Sequence, residues 1–203
     1  MSRAARRGGR RARRGEGTPD RLVAAAAEEF NRGGFHGTDS NRIARAAGYA
    51  PGTFYKHFDD KRAIFLAAYD RWVTTEWAAI ERAVAVGGGA PEVAGRVVDL
   101  VLDLHRRWRG FRASLMALVA VDAEVRRFYR GQRRRQLRLL ADLRARLGSA
   151  PGSAAADAVL LFTLERTCDA IANGEVKDLG LAFARVRGVL RAEVLAHLRG
   201  GRS

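Results

Sequence analysis

The sequence predicts an all-α fold of about nine helices, with a small N-terminal domain followed by a larger helical domain. Apolar residues recur at helical spacings along most of the chain, and the alternation typical of strands is absent. Segments containing glycine or proline separate the apolar stretches. With 203 residues and 47% hydrophobic content, the chain can bury a core without disulfides or metals.

Residues 1–18 are predicted to form a disordered, arginine-rich arm. Residues 1–14 carry seven arginines and no apolar block, so they lack the hydrophobic centre of a secretory signal. No stretch of the sequence reaches the roughly 18 apolar residues that a membrane-spanning helix requires. We therefore expect a soluble, cytoplasmic protein without a membrane partner. The single cysteine, Cys168, leaves no pair for a disulfide or a structural zinc site.

The first helix is predicted from an apolar repeat. Thr18 can cap a helix that contains Pro19 in its first turn, and Gly33-Gly34 ends it. The residues that recur every four positions are Leu22, Ala26 and Phe30.

Two shorter helices follow within the predicted N-terminal domain, residues 19–62. Thr38 or Asp39 caps the second helix and Gly48 stops it, while the third covers residues 50–57. The apolar residues that would fix their crossing are Ile43, Phe54 and Phe58, with Ala44 leaving room for close packing. Two short helices joined by a tight glycine turn describe a helix-turn-helix, whose second helix can enter a DNA major groove.

The remaining helices belong to the predicted C-terminal domain, residues 63–203. Asp59 or Asp60 caps the fourth helix, which extends to about residue 86 before a glycine-rich break. The further predicted helices cover residues 91–108, 112–147 with an interruption near Val121-Asp122, 153–174 and 179–199.

The charge predicts a polyanionic partner. The 37 Lys and Arg residues exceed the 22 Asp and Glu residues, which leaves a net charge of +15. Residues 1–62 hold 14 basic and 7 acidic side chains, so the excess is about twice as dense there as in the rest of the chain. Nucleic acid is the commonest such partner, although composition alone leaves an acidic membrane surface open.

Residues 20–69 resemble the DNA-binding region of the TetR family of bacterial transcriptional regulators. The positions in register with the family pattern are Thr38, Ile43, Ala44, Ala47, Gly48, Gly52, Phe54, Tyr55, His57, Phe58 and Lys61. The resemblance implies a palindromic double-stranded DNA operator, a homodimer formed through the last two helices, and a small, largely apolar effector that releases a repressor. It implies no cofactor.

The resemblance also implies which residues meet DNA. The third helix would present Pro51, Gly52, Thr53, Tyr55, Lys56 and His57, the second helix would add Ser40, Asn41 and Arg42, and Thr38 and Lys61 would hold phosphates. Two alternatives stay open, because Tyr55 could pack in the core of the domain and His57 could be merely solvated. Tyr49 and Ala50 stand where many relatives carry polar residues.

The C-terminal helices carry candidate dimer and ligand residues. Apolar stripes suited to a four-helix bundle are Leu160, Leu164, Cys168 and Ile171, and then Leu179, Phe183, Val186, Leu190, Val194 and His197. These stripes could instead face the core of their own chain. Candidate ligand-binding residues are Trp72, Trp77, His105, Trp108, Met116, Phe162, Glu165, Cys168 and Asp169, most of which could equally be plain core. Glu165 could orient a ligand or pair with an arginine.

Other classes of function receive little support. The histidines show no metal-ligand spacing, and the chain lacks a phosphate loop and a dinucleotide fingerprint, so we expect no enzyme and no metal. A second basic cluster is interpreted as a solvated helix face: Arg126, Arg127, Arg130, Arg133, Arg134, Arg135 and Arg138. The alternatives to a ligand-responsive regulator are a nonspecific architectural DNA-binding protein and a regulator without a ligand.

Overall fold

The computed structural model describes residues 17–148 and 153–200, and the predicted arm up to residue 16 lies outside the described residues. The described chain contains ten helices and no strand, which confirms the all-α prediction. In chain order these are α1 (Thr18–Gly33), α2 (Ser40–Ala46), α3 (Pro51–Lys56), α4 (Lys61–Ala85), α5 (Ala90–Arg107), α6 (Arg109–Val121), α7 (Ala123–Arg146), α8 (Ala154–Ala172), α9 (Glu175–Asp178) and α10 (Phe183–Leu198). No helix in these two ranges combines the length and apolarity needed to cross a bilayer.

The chain divides into two compact units between Tyr69 and Asp70, inside α4. In the N-terminal unit, α1 packs against α2 and α2 packs against α3. The side chains of Leu22, Ala26, Phe30, Ile43, Ala44 and Phe54 are fully buried there. The Phe30 ring also meets the Phe65 ring edge-on, with the centroids 5.0 Å apart. The predicted apolar repeat of α1 is therefore the inner face of a small helical core.

Side-chain caps define several helix starts. The carboxylate of Asp39 accepts a hydrogen bond from the Arg42 backbone N–H at 2.7 Å, and that of Asp60 accepts one from Ala63 at 2.7 Å. Asp122 caps α7 in the same way at the predicted interruption. Thr18 instead begins α1, because the capping position is Gly17, which has no side chain to accept a bond.

The third helix differs from the expectation of an ordinary α-helix, since Pro51–Lys56 forms a 3₁₀ helix. The Thr53 N–H donates to the carbonyl of Ala50 and the His57 N–H to that of Phe54, each three residues back. 3₁₀ geometry is common in such short segments.

In the C-terminal unit, α5 packs against α8 and α10, and α7 packs against α6 and α8. Four members of the predicted stripes lie against this core. Leu164, Cys168, Leu190 and Val194 are each at most 9% exposed, so the alternative that they face their own chain is correct for these residues. The short helix α9, which lies between the two stripes, was not predicted from the sequence because it contains only four residues.

Candidate DNA-binding site and ligand cavity

A tight turn between α2 and α3 sets the geometry of the helix-turn-helix. Gly48 has a φ of +82°, a left-handed conformation that glycine adopts without steric penalty. The N–H of Tyr49 donates to the Ala44 carbonyl at 2.9 Å and closes the turn. This backbone conformation accounts for the predicted role of Gly48, which is to end α2 and form the tight turn.

The surface of α3 is an exposed ridge over a buried anchor. Phe54 is 0% exposed and holds α3 on the core, while the Tyr55 side chain is 61% exposed. The alternative that Tyr55 fills the core is therefore wrong. The other predicted positions on this ridge are exposed at Pro51, Gly52, Lys56 and His57 and half-buried at Thr53.

The ridge is joined to the start of α2 by a hydrogen bond. The hydroxyls of Ser40 and Tyr55 lie 2.7 Å apart, and Asn41 beside them is exposed. Arg42 is half-buried, and its guanidinium pairs with the buried carboxylate of Glu29. The structure thus gathers the hydroxyl, amide and cationic groups of α2 and α3 on one part of the N-terminal unit.

Thr38 requires a correction. Its side chain is only 3% exposed, and its hydroxyl donates to the Glu29 carbonyl at 3.1 Å. This hydroxyl therefore links the loop before α2 to α1 and does not present itself to phosphate. The prediction of a phosphate contact from this side chain is wrong, because the sequence alone does not show that the loop turns Thr38 inward.

Lys61 also ties the loop before α2 to the start of α4. Its Nζ donates to the carbonyls of Phe35 at 2.8 Å and Thr38 at 2.9 Å, and it lies 4.4 Å from the centroid of the Phe35 ring. A lysine ammonium has three N–H donors, so the two carbonyls occupy two of them. Lys61 therefore holds these two segments together as a brace, and its third N–H donor is left for a phosphate.

Sequence reasoning missed a second brace, formed by Arg21 and Tyr49. The Arg21 guanidinium donates to the Ala47 carbonyl at 3.0 Å and lies 4.8 Å from the centroid of the Tyr49 ring. The Tyr49 hydroxyl donates to the hydroxyl of Thr18 at 3.3 Å. The sequence did contain a signal for this brace, because Tyr49 stands where many relatives carry a polar residue. In the structure, Tyr49 anchors the turn on α1.

The C-terminal unit contains a partly open cavity of about 60 Å³. At the volume that water occupies in the liquid, this space corresponds to about two water molecules. Its walls are mostly apolar and come from α4, α5, α7, α8 and α10: Glu76, Trp77, Ile80, Val84, Val93, Val97, Val101, Gln136, Leu140, Leu143, Leu160, Leu161, Leu164, Glu165, Val194 and Leu198.

Only two of the nine candidate ligand residues, Trp77 and Glu165, line this cavity. Met116 and Phe162 are 37% and 54% exposed, so they are surface residues. Trp72, His105 and Cys168 are buried, and Trp108 and Asp169 are half-buried, but all five lie outside the cavity wall. The type of a residue does not show whether its side chain points into the cavity. Apolar residues lie on more than one face of these helices, so the sequence pattern does not single out the face that lines the cavity.

A network of buried ion pairs adjoins the cavity. The guanidinium of Arg112 pairs with Asp169 through Nε at 2.6 Å and Nη2 at 2.7 Å, and that of Arg133 pairs with both oxygens of Glu165. His105 Nδ1 lies 2.9 Å from Asp169. Glu165 therefore pairs with an arginine, as one of the two alternatives held.

The network shifts the pKa values of its members in different directions. Burial alone would raise the pKa of Asp169, but the hydrogen bonds from His105 and Arg112 hold this pKa well below its usual range. Burial lowers the pKa of His105, so its ring is neutral at pH 7. Burial raises the pKa of the Cys168 thiol to about 12, which keeps it protonated and unreactive.

The interpretation of the basic cluster on α7 as a solvated face needs correction at Arg133, which is 8% exposed. Arg126 and Arg135 also bind neighbours, through the Val119 carbonyl at 2.9 Å and the Asp70 carboxylate at 3.1 Å. The members that are exposed are Arg127, Arg130, Arg134 and Arg138.

Apolar side chains are exposed on both of the helices predicted to form a dimer. On α8 these are Val159, 64% exposed, and Phe162, 54% exposed. On α10, Phe183 is 40% and Val189 is 60% exposed. These residues are mostly different from the predicted stripes, and Phe183 alone belongs to both sets.

Comparison with known proteins bears on the N-terminal unit and on the fold. Residues 22–68 match the sequence model described as bacterial regulatory proteins, tetR family. A search of curated proteins finds no significant match.

Solved structures of similar fold cover most of the chain at low identity. A protein from Rhodococcus sp., assigned to the TetR family of transcriptional regulators, has a TM-score of 0.72 and 17% identity, covering 87% of this chain and 96% of its own. The fatty acid degradation regulator FadR from Bacillus halodurans has a TM-score of 0.64 and 17% identity, with 91% and 97% covered. The regulator FadR from Bacillus subtilis, solved in complex with stearoyl-CoA, has a TM-score of 0.61 and 19% identity, with 90% and 98% covered.

None of these comparisons indicates an enzyme family. The family match falls on the helix-turn-helix unit, and the structural similarity extends over both units. Residues 22–68 thus match the TetR-family model, and the fold of the chain is similar to that of TetR-family transcriptional regulators.

Proposed function

We propose that the protein is a homodimeric repressor that binds a palindromic operator through α2 and α3 and is released when a small molecule fills the cavity of the C-terminal unit. The observation that carries this proposal is the exposed ridge of α3. Its Tyr55, Lys56 and His57 side chains project from a helix that Phe54 anchors in the core. Such an anchored, outward helix is what entry into a major groove requires.

The chemistry of the ridge fits a duplex. Lys56 offers a cation for phosphate, and Thr53 and Tyr55 offer hydroxyls that can bind phosphate or base edges. Asn41 is exposed at the first turn of α2, and an asparagine amide can pair with the two hydrogen-bonding groups of an adenine. The two helices together supply both the positioning contacts and the base contacts that specific recognition needs.

A dimer supplies the second half of the recognition surface. Two recognition helices must be separated by about one turn of DNA, roughly 34 to 36 Å, or a multiple of it, to enter successive major grooves. The exposed Phe162 on α8 and Val189 on α10 support a dimer through these helices, because burying them on a partner removes apolar area from water.

The cavity supports release by a ligand. The apolar wall with a few polar groups matches the general character of small-molecule sites. A Bacillus subtilis regulator of the same fold was solved with stearoyl-CoA, which supports a ligand role for such a C-terminal unit. A ligand releases the operator only if it binds one conformation better than the other, and a cavity that must expand on binding provides such a difference.

The small volume of the cavity favours a second candidate function. About 60 Å³ is well below the roughly 300 Å³ at which drug-sized sites begin. A TetR-family regulator that only dimerises through its C-terminal unit and holds no ligand accounts for this volume. Saturating ligands that leave operator affinity unchanged would favour this second function.

The DNA-binding proposal is tested by selecting bound fragments from genomic DNA with the purified full-length protein. We expect a palindromic site. Replacing Lys56 by alanine should weaken binding to that site by about tenfold, in line with the loss of one charged hydrogen bond. The matched control is Arg127→Ala, which removes one exposed cation from α7 and should leave the affinity unchanged. Equal losses in both variants, or recovery of unrelated fragments, would contradict the proposal.

A further inference from the structure

One acidic side chain in the cavity wall lacks a partner. Glu76 on α4 lines the cavity and is only 6% exposed. Among the residues that the structure describes, none donates a hydrogen bond to its carboxylate or lies within ion-pair distance of it. A buried ionised carboxylate without a partner is strongly disfavoured, so this position requires an explanation.

The surrounding charges do not balance Glu76. Three carboxylates, those of Glu76, Glu165 and Asp169, face two guanidiniums. Arg133 is engaged by Glu165, and Arg112 is engaged by Asp169 with Glu165 at 3.7 Å. His105 is neutral because burial lowers its pKa. The group therefore carries one negative charge in excess whenever Glu76 is ionised.

The protonation of Glu76 reflects this imbalance. Burial, followed by the nearby Glu165 carboxylate, raises the pKa of Glu76 to about 7, although Arg112 and Arg133 act in the opposite direction. Without a ligand, Glu76 is thus about half protonated at neutral pH. A cation in the cavity would stabilise its ionised form.

We propose that the effector is a small apolar amine whose ammonium pairs with the Glu76 carboxylate while its hydrocarbon part packs on the apolar wall. This inference rests on the proposed function, in which the cavity is the effector site. One positive charge completes the balance of the buried group, whereas a carboxylate ligand would bring a second unpaired negative charge into it. The side-chain oxygen of Gln136, which also lines the cavity, accepts a hydrogen bond from Arg133 at 3.0 Å, and its second lone pair can accept one from the ammonium.

The size of the cavity limits the hydrocarbon part. The cavity is smaller than the roughly 150 Å³ that accommodates benzene, so the ligand must be short and the cavity must widen around it. A suitable amine is n-butylamine, and n-butanol and butyrate are its neutral and anionic counterparts. These three compounds are therefore suitable probes of charge at nearly constant shape.

The test is an NMR titration of the full-length protein with each of the three probes at pH 7.5. We expect n-butylamine to bind at least tenfold more tightly than n-butanol or butyrate. Glu76→Gln should remove that advantage and leave n-butanol binding within about twofold. The control Glu193→Gln changes an exposed carboxylate on α10 in the same way and should have no effect.

The pH dependence of the wild-type protein provides a second measurement that needs no variant. An alkyl ammonium stays protonated below pH 9, so amine binding should follow the ionisation of Glu76. With a pKa of about 7, the affinity should rise about 30-fold between pH 5.5 and 8.5 and level off above that. In Glu76→Gln this rise should disappear.

The outcomes separate the two proposals. Preference for n-butanol or butyrate, or an amine affinity independent of pH and of Glu76, overturns the amine inference while leaving a ligand site in place. Failure of all three probes to bind overturns the inference as well. Operator affinity measured without any probe tests the DNA-binding function independently, because Glu76 lies in the C-terminal unit.

Discussion

At the scale of single residues, Glu76 links the stability of the fold to pH. Its pKa in the folded protein is about 7, against 4.5 for an ordinary glutamate. Between these two values the folded state binds more protons than the unfolded state, so the free energy of unfolding falls as pH rises through this window. Above about pH 8 this contribution is constant, because both states are then ionised.

Glu76→Gln should therefore stabilise the protein at pH 8 and have little effect at pH 4.5. A pKa difference of this size corresponds to about 3 kcal/mol in the free energy of unfolding. Urea unfolding at both pH values measures this difference, with Glu193→Gln as the exposed control. If the two variants changed stability equally at pH 8, the buried position of the Glu76 carboxylate would be contradicted.

Gly48 gives a second prediction for a single residue. Alanine at φ +82° suffers a backbone penalty of about 1 kcal/mol, while the added methyl group would lie in ordinary contact at 3.5 Å from the Arg21 side chain. Gly48→Ala should thus lower the free energy of unfolding of the N-terminal unit by about 1 kcal/mol. Gly52→Ala, which meets nothing within 4 Å, is the matched control for urea unfolding. Equal stability of the two variants would argue against the left-handed turn.

At the scale of elements, local signals sufficed where a helix end depends on its own residues. The interruption at Asp122 was predictable because its carboxylate caps α7, and the end of α1 follows from Gly34 with a φ of 69°. The orientation of α8 and α10 was not predictable in the same way. Their apolar residues occupy both an inner and an outer face, so spacing alone does not show which stripe meets the core.

In the candidate sites, too, positions set by local residues were predictable and positions set by distant contacts were not. The outward position of Tyr55 follows from the burial of its neighbour Phe54 on so short a helix. In contrast, the inward turn of Thr38 and the ion pairs of Glu165 depend on contacts between residues 9 to 53 positions apart. Patterns in a single sequence carry no information on such distant pairs. For this reason the position of Glu76 in the cavity wall was not predicted.

The arginine-rich arm yields a prediction for one segment. Its seven arginines have no acidic neighbour before Glu16, so each can release counterions from phosphate. Deleting residues 1–15 should weaken binding to specific and random DNA alike and flatten the dependence of affinity on salt. Fluorescence anisotropy over a series of salt concentrations measures both quantities. Unchanged affinity at moderate salt would refute a role of the arm in DNA binding.

At the scale of the whole molecule, the proposed operator binding and ligand response both depend on the proposed dimer. A palindrome is read by two copies related by twofold symmetry, so the interface fixes the distance between the recognition helices. A ligand that shifts helices of the C-terminal unit can then change this distance. The exposed apolar residues of α8 and α10 suit such an interface.

The double variant Phe162→Glu with Val189→Glu should dissociate the dimer, because it would place unpaired charges in a buried apolar contact. Sedimentation velocity should show a shift from about twice the chain mass of 22.2 kDa to a single copy. Val121→Glu alters an exposed apolar residue at the end of α6, 79% exposed, and should leave the dimer intact. A double variant that remained dimeric would place the interface elsewhere.

The central claim is that the ridge of α3 reads a specific DNA sequence. Its most direct test is the ratio of the affinities for a selected operator and for random DNA of equal length, measured with the wild-type protein at about 0.2 M salt. Specific readout predicts a ratio of about 10³ or more. A ratio near one would contradict the account and identify the protein as a binder that relies on charge alone.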